Sequence, residues 1–309
     1  VQNIARSPKA DVYAQIEADL KYAADNLPWV ASQKGRVSKG AALALLGKVQ
    51  LYQNKFDASA ATFNTVITEG PYSLISDYKK LFTVANEGHS ETVFDVEYTG
   101  AEGGSYGCLI CLEGNAAPGF QGIRQYNGPV YGDGNSYNLP TKDLYDFFDA
   151  ADPRRDASVL DLDAFIAKQS NPGSITYAKG GGGHTGYYNN KYIKKIGEIG
   201  LPDNDLTSPV NYRVIRYADV LLMAAEANAR ANASDEGKAR TYLNQVRNRV
   251  GMAAINTSGS QLLEDIWKER RLELSGEGYR FFDLVRTGKA ADAINGFVTG
   301  KHELFPIPQ

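Results

Sequence analysis

The sequence predicts a mostly α-helical protein in which helical hairpins flank a large, loop-rich insertion with short strands. Three observations predict it. Apolar residues recur at helical spacing from about Lys9 to Tyr78 and again from about Tyr212 to Ala293. Between these blocks, from about Lys79 to Asn211, the chain is irregular and rich in Gly, Tyr and Asn. In the second block, charged residues fall inside the apolar arc of a helix, which requires packing that encloses and pairs them. The chain therefore reads as one domain over 1–309, helical over 1–78, loop-rich over 79–211 and helical again over 212–309.

The first helix carries Val12, Ile16, Leu20 and Ala23 on one stripe and stops near Asn26-Leu-Pro28. The second starts after Ser38, whose hydroxyl suits an N-cap, and runs through Leu51. The third begins near Phe56 and ends at Gly70-Pro71. Leu46-Gly47, Phe56, Phe63 and Pro71 fall at the spacing of a tetratricopeptide unit, although Gln50 and Ser59 depart from its usual aromatic and Ala. A second pair, roughly Val214–Ala231 and Glu236–Val250, echoes it, with Ala239 and Leu243 placed to interlock. The plainer alternative is an ordinary antiparallel helical hairpin.

The segment Trp267-Lys-Glu-Arg-Arg-Leu-Glu-Leu-Ser-Gly-Glu277 breaks its own amphipathic pattern. Leu262, Leu263, Ile266, Trp267 and Leu274 share a helical face. Glu269, Arg270, Glu273 and Glu277 land within or beside it, while Glu264, Lys268 and Arg271 point away. A helix over Arg213–Ala229 is apolar nearly all round, yet Arg216, Asp219, Glu226 and Arg230 share one stripe. The two charged rows are expected to meet, Arg216 and Arg270 pairing with Asp219, Glu226, Glu273 or Glu277 in bidentate fashion. The rival is a carboxylate pair for glycoside hydrolysis. An Arg beside each acid holds it ionised, the opposite of what a general acid needs.

The middle zone is the expected ligand face. Phe120, Arg124, Tyr126, Tyr131 and Tyr137 cluster among Gly119, Gly122, Gly128, Gly132 and Gly134. Aromatic rings stack on the apolar faces of sugars, and Arg bonds to their hydroxyls. Tyr126 and Tyr131 are the leading candidates for exposed rings, against the alternative of a tyrosine-rich loop packing on its own scaffold. Three other features carry less. Lys179-Gly-Gly-Gly-Gly-His184 lacks the Gly-Lys-Ser/Thr ending of a phosphate loop and reads as a hairpin tip before a strand near Tyr187–Lys194. Cys108-Leu-Ile-Cys111 has no strand–helix context, and Asp203-Asn-Asp205 lacks the rest of a calcium loop.

Bulk properties agree. A net charge of -3 over 309 residues does not suggest a nucleic-acid or membrane-surface binder. No apolar run is long enough to span a bilayer as a helix. With three His and two Cys, a transition-metal or thiol enzyme is not expected, and no catalytic residue, metal or cofactor is assigned. Nineteen Tyr suit carbohydrate or protein contacts.

Ile266-Trp-Lys-Glu-Arg-Arg-Leu-Glu-Leu274 followed by Glu277-Gly-Tyr-Arg-Phe-Phe-Asp-Leu-Val-Arg286 resembles the C-terminal signature of the SusD/RagB family. Ile215–Ala227 is similar to that family's other hallmark. Lesser matches are Pro140-Thr-Lys-Asp-Leu144, Asp152-Pro-Arg-Arg155, Tyr188 with Lys191-Tyr192, and Phe305-Pro-Ile-Pro308. The resemblance implies a binding protein rather than an enzyme. It would be a lipoprotein on the outer face of the Bacteroidetes outer membrane, anchored through an N-terminal Cys absent from this sequence. It would capture glycans or other nutrients for a SusC-like TonB-dependent transporter, through tetratricopeptide-like helices carrying a loop-rich ligand face. The sequence also departs from the family's N-terminal pattern, so the expectation is a chain without the family's N-terminal region, to which much of the ligand site belongs. A helical-repeat scaffold holding only a protein partner, or a glycoside hydrolase, are the alternatives.

Overall fold

The computed structural model describes residues 7–100, 114–179, 184–198 and 208–305. The cysteine pair, Asp203–Asp205 and most of the glycine tip lie outside them. Three helices open the chain: α1 (Lys9–Asn26), α2 (Lys39–Tyr52) and α3 (Phe56–Glu69). Ser38 caps α2 as expected, its Oγ accepting from the Ala41 amide at 3.2 Å. α2 and α3 pair closely because Gly47 has no side chain. A Cβ there would lie 2.7 Å from the Phe63 ring. The two departures from the repeat pattern are explained by bonds between the helices. Ser59 Oγ donates to the Gly47 carbonyl at 2.8 Å, and Thr62 Oγ1 donates to Gln50 Oε1 at 2.8 Å.

The chain's other helical block holds α8 (Tyr217–Arg230), α9 (Glu236–Arg249), α10 (Gly259–Glu273), α11 (Arg280–Arg286) and α12 (Ala290–Ala293). α8 is buried from Tyr217 through Asn228 and packs against α3, α9 and α10. Its Val220, Leu221 and Met223 join Phe63, Leu243 and Ile266 in the main core. Ala239 and Leu243 are both buried, as the repeat pattern requires. α1 packs on α2 but buries only Ala24, and Val12 of the expected stripe is 45% exposed.

Two boundaries differ from the sequence expectation. Residues 70–77 contain no helix, so the irregular region starts at Gly70. Arg213–Arg216 are extended, forming β6 (Tyr212–Arg216) antiparallel to β1 (Thr92–Val96). The helical spacing fails there because β1 supplies backbone partners. The Tyr217 amide still donates to the Glu91 carbonyl at 2.8 Å, and the helix begins only at Tyr217.

Between the blocks, two more small pairings occur: β2 (Ile123–Arg124) with β3 (Asp133–Gly134), and β4 (Val159–Asp161) with β5 (Tyr187–Asn189). Short helices interrupt the loops: α4 (Ala117–Gln121), α5 (Lys142–Phe147), α6 (Arg154–Ser158) and α7 (Leu162–Ala167). Each is one to two turns. Caps hold two of them, Thr141 Oγ1 accepting from Leu144 N and Asp161 Oδ1 from Ala164 N.

The charged rows do meet, and they recruit the insertion. Arg270 Nη1 donates to Asp219 Oδ1 at 2.7 Å, and Arg216 Nε to Glu277 Oε2 at 2.8 Å. Glu273 accepts from Arg216, Arg249 and Arg154. Arg154, from α6, also grips Asp152 and Glu269, and Lys191 Nζ donates to Glu277 Oε1 at 2.7 Å. These groups are nearly or fully buried. Burial alone would raise the Glu273 pKa. Arg249, Arg216 and Arg154 outweigh it and hold the carboxyl well below its ordinary range. Glu277 and Glu226 are likewise lowered by their cations against the burial cost. This is an ionised clamp that fixes the loop region on α10 and the turn that follows it.

Candidate ligand-binding site

The segment 117–138 is built on a backbone crossing that only glycine permits. Asn135 N donates to the Gly119 carbonyl at 3.1 Å, Ser136 N to Gly122 at 2.8 Å and Tyr137 N to Phe120 at 2.8 Å. A Cβ on Gly134 would lie 2.5 Å from Gly122 Cα. The crossing places the Phe120 and Tyr137 rings face to face, with centroids 6.1 Å apart and planes 20° from parallel. Tyr137 is 62% exposed and Phe120 is half-buried. Arg124 is exposed on the same segment, its amide donating to Ser136 Oγ at 3.0 Å.

The backbone here is strained. Gln125, Val130, Ser136 and Asn138 have φ between 54° and 75°, leaving Asn54 as the other non-glycine at positive φ among the described residues. For a β-branched residue such as Val130 that region is costly. Strain gathered in one surface loop marks a segment held in shape by its surroundings, a pattern that clusters at ligand sites.

From Ser136, next to Tyr137 in the chain, runs a series of polar groups. Ser136 Oγ lies 3.2 Å from the Tyr188 hydroxyl, which lies 3.5 Å from His184 Nδ1. The His184 ring sits 5.5 Å from that of Tyr177, whose hydroxyl donates to Asp163 Oδ1 at 2.7 Å. The described residues contain no cluster of acids and histidines able to hold a metal.

The SusD family profile matches residues 70–304. The chain belongs to the SusD family. SusD-like protein P2 of Formosa agariphila is 31% identical over all of this chain and 64% of its own length. A SusD-like protein of Bacteroides ovatus is 29% identical over 89% of this chain and 50% of its own. Among solved structures, a laminarin-binding SusD-like protein is 40% identical with a TM-score of 0.88, covering 98% of this chain and 67% of that one. Surface glycan-binding protein A from Bacteroides thetaiotaomicron, solved with laminarihexaose, is 28% identical with a TM-score of 0.81. It covers 92% of this chain and 62% of its own. The chain thus spans about two-thirds or less of the length of these SusD relatives.

Of the five residues read from the sequence, the SusD fold leaves Arg124 and Tyr137 exposed and Phe120 half-buried, and turns two inward. Tyr126 and Tyr131 are not exposed rings. They are 7% and 6% exposed, in a core with Ile123, Leu162, Tyr188 and Ile193. Tyr131 meets the edge of Phe165 at 5.1 Å, and burial pushes its phenol up to about 12. The Tyr126 hydroxyl donates to the Pro129 carbonyl at 2.9 Å, over Gly128, where a Cβ would strike it. The insertion needs a hydrophobic centre of its own, and these tyrosines supply it. Sequence reading missed Tyr177 and His184. Tyr177 is brought beside the Arg124 strand because Asn127 pairs with Thr176 and Arg124 with Ala178, contacts some fifty residues apart that leave no local signal.

Proposed function

We propose that this chain captures a glycan at the cell surface, with Phe120 and Tyr137 as the stacking platform and Arg124 as a donor to sugar hydroxyls. The observation that carries the reading is the glycine-fixed ring pair, Tyr137 exposed and Phe120 half-buried, because sugar stacking needs apolar faces held in place before the ligand arrives. Two structures of similar fold support the ligand class, one named as laminarin-binding and one holding laminarihexaose. Laminarin is therefore the first glycan to try. In this reading the protein is lipid-anchored on the outer face of the outer membrane and passes the glycan to a SusC-like TonB-dependent transporter. It is then a binding protein rather than an enzyme, which accords with Glu273 of α10 and Glu277 beyond it being held ionised by arginines rather than raised as a general acid would be.

Calorimetric titration of laminarin into native protein and Tyr137→Ala tests this. The variant is expected to bind about tenfold more weakly while losing less than about 0.5 kcal/mol of stability. Unchanged affinity in a Phe120→Ala/Tyr137→Ala double variant would remove the platform from the site. Release of reducing ends from laminarin would restore the hydrolase alternative.

A further inference from the structure

We propose that the open pocket between α1, α2 and the turn into α11 binds a small arylalkanoate, a ligand with one apolar ring and one carboxylate. The cavity holds about 350 Å³ and is walled by Tyr13, Val49, Tyr52, Tyr212, Tyr279 and Phe282. That is the lower end of small-ligand sites and suits a single ring with a short tail. Two of the phenols are already engaged, Tyr212 with the Glu277 carbonyl at 3.2 Å and Tyr279 with that of Val214 at 2.5 Å. They therefore offer ring surface rather than hydroxyls, which suits the apolar ring of the ligand.

Lys48 decides the polar end of the ligand. It lines the pocket with its Nζ 4.4 Å from the centre of the Tyr279 ring. Among the described residues it has no hydrogen bond and no carboxylate within ion-pair distance, in a protein that pairs its other enclosed cations closely. The charges acting on Lys48 are Asp219 and Asp283 on one side and Arg270 and Arg286 on the other. Asp283 pairs with both arginines, while Asp219 Oδ2 has no hydrogen bond among the described residues. Asp219 Oδ1 takes Arg270, and Glu277 is neutralised by Arg216 and Lys191. Burial also disfavours the charged amine, so an incoming carboxylate would relieve a cost that the fold leaves standing. A charge-assisted bond at one end and ring contacts around the other define the ligand class.

The test is titration of 3-phenylpropanoate into the 309-residue chain, followed by NMR, beside its neutral analogue 3-phenylpropanol. The acid is expected to bind saturably and about tenfold more tightly than the alcohol. Lys48→Met should erase that preference, and Lys48→Arg should keep most of it. Laminarin should not displace the acid, which separates this site from the Phe120–Tyr137 platform. No saturable binding, equal affinity for acid and alcohol on native protein, or an unchanged preference in Lys48→Met would each overturn the proposal. So would dimerisation that blocks the acid, which would assign the exposed rim of Leu45 and Phe282 to a second copy.

Discussion

The clamp between α8 and α10 and the aromatic loop 117–138 are both made of side chains with two natures, and they resolve them in opposite ways. In the clamp, residues that ordinarily seek water are buried. Arg216 is satisfied by Glu91, Glu273 and Glu277 at once. In the loop, similar tyrosines divide. Tyr131 is core, and Tyr137, six residues later, is 62% exposed. An enclosed charge has one acceptable environment, a partner, so its surroundings follow from its identity. A tyrosine is acceptable inside or outside, so its position follows from the backbone that carries it.

The largest expected effect lies in the clamp. Glu273→Gln leaves Arg154, Arg216 and Arg249 short of a buried counter-charge and should cost about 3–5 kcal/mol in chemical denaturation. A loss below about 1 kcal/mol would mean the clamp is wet and the contrast with the loop is false. Tyr131→Ala should cost about 3 kcal/mol through the cavity it opens beneath the loop, against almost nothing for Tyr137→Ala. Equal losses at the two positions would erase the division between core and platform tyrosines.

Gly134→Ala sharpens the loop side. The added carbon meets Gly122 backbone, which cannot swing aside. We expect a loss of about 1–3 kcal/mol together with weakened laminarin binding. Retained affinity at reduced stability would show that the platform does not need the crossing.

The remaining effects concern pH, and they run in two directions. Glu273, Glu277, Glu226 and Asp283 have folded pKa values below their ordinary ones, so their stabilisation is full above about pH 4.5 and is lost as the pH falls through the folded values. Asp95 behaves oppositely. Burial raises it to about 7, against the pull of Arg213. The folded state keeps a proton there that the unfolded chain releases near pH 4, so this group erodes stability as the pH climbs from about 4 to about 7. Asp95→Asn should therefore gain on native protein between pH 5 and pH 8 in parallel urea titrations. A constant difference at both pH values would place the Asp95 carboxyl at its ordinary pKa.

What the sequence determined by itself was the helical frame and the meeting of the two charged rows, though not the recruitment of Arg154, Lys191, Glu91 and Arg249 to them. Helix spacing, Ser38, Gly47 with Phe63, and the inward rows of α8 and α10 are consequences of local periodicity and of the rule that buried charges pair. Tertiary structure alone decided three things. It made Arg213–Arg216 a strand, because β1 arrives from over a hundred residues away to bond it. It turned Tyr126 and Tyr131 into the insertion's core, because that region had to bury apolar area of its own. It joined Phe120 to Tyr137 through glycines that let two backbones touch. Such contacts between distant segments have no period along the chain, and a ring that is stable on either side of a loop gives no sign of which side it will take.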